Sequence, residues 1–151
     1  MFDAIKPLTL EAAIEVASNL RPDDRREVEE GHGHDPLLIL PQAVDIPGSI
    51  YFTMPNNEIG GAGGIEENGA IWMLCTDAVE RHPHAFVRLA KRYLDASPHP
   101  LTWNIVDKRN TVHLKLLKFL GFKFLRELTY GPNNLTFIEF CRVSSSSCSS
   151  S

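Results

Sequence analysis

Between an apolar run, "AIWMLCT" (residues 70–76), and an amphipathic helix beginning near Ala85, the chain places Glu80, Arg81, His82, Pro83 and His84. Strand-to-helix junctions of α/β proteins commonly hold phosphates, because unpaired amides at a helix start face a bound anion. Glycines normally let the ligand come close. This junction has no glycine, and Pro83 removes one N–H donor. Any anion binding there has to rest on side-chain cations, with Arg81, His82 and His84 as the candidates. Two His-x-His pairs, His32/His34 followed by Asp35 and His82/His84, would suit zinc or nickel if they converged. Both pairs fall at helix ends or loops rather than along a strand, so no metal site is expected. No Gly-x-Ser-x-Gly elbow exists, and the serines crowd the end of the chain, so a serine hydrolase is not expected.

The elements that must position these groups follow from periodicity. Residues 2–9 read as a short edge strand closed by Pro7, with Thr9 as the N-cap of a helix. Leu10, Ala13, Ile14 and Ala17 form that helix's packing stripe. "RPDDRREVEEGHGHD" restarts a helix with Pro22 in its first turn and Gly31 or Gly33 as terminator. "SIYFTMPNNEIGGAGGI" is a hairpin. Its Gly60, Gly61, Gly63 and Gly64 lie inside a strand with no helix after them, which marks a bulge or close backbone approach rather than a phosphate loop. "AIWMLCT" reads as a central strand covered on both faces. The following helix puts Phe86, Leu89, Ala90, Tyr93 and Leu94 on one face and stops at "SPHP". "LTWNIV" is a strand, and "NTVHLKLLKFLGF" is a helix with Asn110 as cap and Gly121 after its end. Val112, Leu116, Phe119 and Leu120 form its inner stripe. A hairpin through Gly131-Pro132-Asn133-Asn134 closes the chain.

The 151 residues suit a single domain over 1–143, followed by a serine-rich tail, 144–151, of low complexity. Hydrophobic content of 43% and charged content of 23% are those of a soluble globular protein. A formal charge of −4 argues against nucleic acid, and the short basic stripe of Lys115, Lys118, Lys123 and Arg126 reads as a solvated face. Cys75, Cys141 and Cys148 are an odd number without metal-type spacing. With Cys75 and Cys141 in apolar strands, they suggest a reducing, intracellular setting. Neither a signal peptide nor a membrane span is expected.

The order β, αα, βββ, α, β, α, ββ, with "LTWNIVDKRNTVHLKLLKFLGFKF" after the long helix, resembles the GNAT N-acetyltransferase superfamily over roughly residues 3–143. That resemblance implies an α/β layered domain, with a central mixed, mostly antiparallel sheet flanked by helices. More narrowly, "NLRPDDRREVEE", the Gly-rich strand, "WMLCTD", "TWNIVDKRNTVHLKLLKFLGF" and "FIEF" together resemble a small family from short-tailed bacteriophages. Its members are internal virion or virion-assembly proteins with a degenerate GNAT domain.

In active GNAT enzymes the strand matching "AIWMLCTD" splays from its neighbour and exposes backbone groups to pantetheine. A glycine-bearing loop then wraps the diphosphate. Here "VERHPHA" stands in that place. Cofactor contacts, if acetyl-CoA binds, fall by this resemblance to Cys75, Thr76, Arg81, His82, His84 and Asn110. Amine acetylation also needs a base and an acid. Trp72, Met73, Leu74 and Cys75 supply no base on the central strand, Glu66 and Glu67 precede it, and Leu117 stands where relatives carry a tyrosine acid. No catalytic residue is therefore assigned. The expectation is a phage virion or assembly protein acting by protein contacts, partly through the tail or an oligomer, in the host cytoplasm and the virion, with no cofactor. An acetyl-CoA-dependent N-acetyltransferase is the alternative.

Overall fold

The computed structural model describes residues 4–144, so Cys148 and the expected tail contacts lie outside the described residues. In chain order the elements are β1 (Ile5–Pro7), α1 (Leu10–Ser18), α2 (Pro22–Arg26), a π-helical turn (Glu27–Gly31) and α3 (Pro36–Ala43). There follow β2 (Ile50–Thr53), β3 (Ile59–Ile65), β4 (Ile71–Cys75), α4 (Ala78–Arg81), α5 (Pro83–Asp95) and β5 (Leu101–Asp107). α6 (Thr111–Phe119), β6 (Lys123–Tyr130) and β7 (Leu135–Val143) complete the chain.

The strands form two antiparallel sheets, β1-β2-β3-β4 and β5-β7-β6. β4 and β5 run parallel and meet at one bridge, Ala70 opposite Trp103, where Trp103 N–H donates to the Gly69 carbonyl at 3.1 Å. Beyond that apex no ladder joins them. α1 and α3 cover one face through Ala13, Val16, Ala17 and Leu40, packed with Ala62, Trp72 and Leu74. α4, α5 and α6 cover the other, where Val79, Phe86 and Leu116 pack with Phe52, Met54 and Cys75. The glycine strand is a close approach, as expected: a Cβ on Gly63 would stand 2.7 Å from the Trp72 carbonyl oxygen.

Several expectations are corrected. α1 buries Ala12, Ala13, Val16 and Ala17, while Leu10 and Ile14 face outward. The small-residue face of α1 packs with Ala62 of the glycine strand. α6 buries His113 and Leu116, leaving Val112 and Phe119 exposed. Asn110 and His113 approach Asp24 and so set the rotation of this helix. Asn110 stands at the N-cap position without a capping side-chain bond, since its Nδ2 reaches Asp24. α3, with Asp35 accepting from Leu37 N–H and Pro36 at its first position, and the π-helical turn were not anticipated. β4 is covered on both faces, but it lies at the edge of its own sheet.

Candidate functional site

The space between β4 and β5 is defined by which backbone groups face it. Thr76 N–H bonds the Gly60 carbonyl on β3, so strand alternation turns the amides and carbonyls of Ile71, Met73 and Cys75 away from β3, toward β5. Likewise Lys108 N–H bonds Thr136 on the β7 side, leaving Trp103, Ile105 and Asp107 facing β4. Side chains then fill what the ladder leaves. Next to the apex, Asn104 donates to the Ile71 carbonyl at 2.7 Å and accepts from Ile105 N–H at 2.8 Å, bridging the two strands. At the open end, Asp24 Oδ2 accepts from Cys75 N–H at 2.7 Å, and Glu27 Oε1 accepts from Asp107 N–H at 3.1 Å. Arg21 N–H donates to the Cys75 carbonyl at 2.9 Å. The mouth of the split is therefore stapled by residues 21–27.

Asp24 is 1% exposed and gathers donors from three elements. Its Oδ1 accepts from Arg21 Nη1 at 3.0 Å and from Asn110 Nδ2 at 2.9 Å, and His113 Nε2 stands 3.4 Å away. Arg21 also reaches Glu80 at 3.0 Å. Burial pushes the Cys75 thiol pKa up and the His113 imidazole pKa down, so both favour their neutral forms.

A cavity of about 350 Å³ runs along the split. Its wall is mainly apolar, with Phe52, Met73, Phe86 and Leu89 on the α5 side, and Glu27, His32 and His34 line the opposite part. Neither Lys nor Arg is among its lining residues. Burial raises the Glu27 carboxyl pKa to about 7, with the charges of Asp24 and Asp107 adding to the rise and the bonds from Asp107 N–H and Asn110 opposing it. A carboxyl poised near neutrality can accept a proton from a bound amine. The π-helical turn places it there: His32 N–H bonds the Glu27 carbonyl at 3.0 Å across five residues. Such widened turns recur at functional sites. His32 also meets the Tyr130 hydroxyl at 3.2 Å through Nδ1.

The six residues proposed to contact a cofactor separate into groups. Cys75 and Asn110 meet through Asp24. Thr76 Oγ1 donates to the Ile59 carbonyl at 2.8 Å and accepts from Ala78 N–H at 3.2 Å, closing the turn into α4. Arg81 pairs with Glu58, and His82 and His84 stay at the start of α5. Amides of Ala78, Val79, Glu80 and His82 are bonded within the turn itself. The two His-x-His pairs do not converge: His32 and His34 line the cavity, and His82 and His84 do not. Leu117, at the expected tyrosine position, packs in the apolar cluster of Val106 and Phe140. Sequence reasoning missed Asp24, Glu27, Asn104 and His113. A signal existed for Asn104, a polar residue within the otherwise strand-like "TWNIV". Glu27 sits in an acidic run that reads as a solvated helix face.

Structural comparison finds the same fold in acetyltransferases of the GNAT family. A GNAT-family acetyltransferase from Bacillus anthracis superposes with a TM-score of 0.68 at 12% identity, covering 92% of this chain and 93% of that one. A spermidine N-acetyltransferase chimera from Vibrio cholerae and a human homologue gives 0.65 at 10% identity, covering 96% and 98%. The structure of yncA from Salmonella typhimurium with its cofactor acetyl-CoA gives 0.62 at 10%, covering 92% of each chain. No family model and no curated protein matches the sequence. The chain has the GNAT fold, and identities this low establish the fold alone.

Proposed function

We propose that this chain is a bacteriophage virion or assembly protein that uses the GNAT fold as a scaffold and works by contact rather than turnover. The observation that carries this reading is the stapled mouth. Asp24 and Glu27 occupy the Cys75 and Asp107 amides that face the split, where a pantetheine arm would need donors. The turn at 76–85 adds support, since four of its amides are already used internally and Glu80 brings a negative charge to it. A contact surface is available on β6, an edge strand with Phe124 and Leu125 exposed. The narrow sequence resemblance supplies the phage context.

A second reading, an acetyl-CoA-dependent N-acetyltransferase, is favoured by one observation: Glu27, near neutrality, lines an apolar cavity beside the split. Calorimetry separates the two. Under the first reading, acetyl-CoA gives no binding heat up to millimolar concentration, and mass spectrometry finds the protein in purified particles or in complexes with assembly components. Micromolar binding overturns it in favour of the enzyme. In that event Glu27→Gln lowers kcat by about 10²–10⁴-fold, the range for losing a general base.

A further inference from the structure

We propose that Asp24, Cys75 and His113 form a zinc-type divalent cation site that clamps α2, β4 and α6 together at the mouth of the split. One donor atom from each residue lies within 4.8 Å of the other two, and no other such grouping of three or more His, Cys, Asp or Glu occurs among the described residues. Cys75 and Asp24 are fully buried and His113 is 9% exposed.

Two further observations point to a missing group. His113 Nε2 and Asn110 Oδ1 are buried without a hydrogen-bond partner, and their side chains converge on the same oxygen, Asp24 Oδ1. An unpaired buried polar atom is costly, and native interiors rarely tolerate two on one cluster. The charges are also unequal: Arg21 and Arg26 face Asp23, Asp24 and Glu80, two cations against three carboxylates. A divalent ion that displaces the Cys75 proton to solvent adds one positive charge to this carboxylate-rich group. Arg21 keeps Glu80 and Asp23 as partners when the ion takes its place on Asp24.

Thiolate, imidazole and carboxylate together select zinc over magnesium or calcium, which take oxygen ligands. With its proton on Nδ1, the neutral His113 offers the Nε2 lone pair. The site serves as a clamp under either reading of the cavity, so its test is independent of acetyl-CoA.

The experiment uses the full chain, stripped with chelator and titrated with cobalt(II), then zinc(II). The expected result is saturation at one equivalent with a thiolate-to-cobalt charge-transfer band, which zinc bleaches. The band is lost in Cys75→Ser and kept in Cys141→Ser. His113→Gln, which leaves the thiol in place, weakens cobalt binding and shifts the visible bands. Absence of one-equivalent uptake, uptake without the thiolate band, or a band that survives Cys75→Ser overturns the assignment.

Discussion

Burial, with the charges of Asp24 and Asp107 adding to it, raises the Glu27 carboxyl pKa from 4.5 to about 7 in the folded protein. Below pH 4.5 both folded and unfolded chains are protonated there, and the group takes nothing from stability. Between 4.5 and 7 the unfolded chain releases its proton first, so stability falls as pH rises and levels off above 7. The full loss is about 3 kcal/mol. Glu27→Gln keeps an oxygen for Asp107 N–H and removes the titration. Its stability gain over wild type, measured by denaturant unfolding, is expected to be about 2 kcal/mol larger at pH 8 than at pH 5. Asp24 acts through the donors it gathers. Asp24→Ala takes one carboxylate from the Arg21 guanidinium, 2% exposed, and the acceptor from Cys75 N–H and Asn110 Nδ2, and is expected to cost about 3–5 kcal/mol by the same measurement. None of this was legible from residue type. "RPDDRREVEE" is a run of charges whose helical phase says only which side is wet, and a π-helical turn shifts that phase without a sequence mark.

The elements themselves were largely legible, because their signals are local. Thr9 caps α1, Pro22 opens α2, and proline ends the region after α5, as the residues suggest. The rotation of α1 and α6 was not, since it depends on what each helix meets. α1 meets a strand of glycines, and α6 meets a buried carboxylate. The π-helical turn is held by the β6–β7 hairpin: Gly131 has φ +81°, and a Cβ there would overlap the Gly31 carbonyl. Gly131→Ala is expected to destabilise the protein by about 1–3 kcal/mol through strained backbone alone, with the overlap adding to it. Asn104→Leu tests the bridge between strands. It leaves the Ile71 carbonyl and Ile105 amide without their partner, and a loss of about 1–3 kcal/mol is expected. Hydrogen exchange that speeds at Ile105 while β2 and β3 stay protected would place the effect at the split.

At the scale of the whole molecule, the fold class was readable from element order, but the division into two sheets was not, because a parallel pair joined at a single bridge leaves no pattern in either strand. Among the described residues no helix is long and apolar enough to cross a membrane. β6 is the exposed edge of the second sheet, and Leu125, 54% exposed at its bulge, touches little of the core. Leu125→Glu is expected to change unfolding free energy by no more than about 0.5 kcal/mol. If β6 is the contact surface, the same variant no longer co-purifies with assembly components. The apex carries a further consequence. Four strands precede residues 97–100 and three follow, so a chain severed in that segment yields two fragments, each with a complete sheet. Their recombination would draw on the apolar cluster that Leu116 shares with Phe52 and Phe86, with Asn104, Asp24 and Glu27 as the teeth of a fastener, making this protein a candidate for a split reporter.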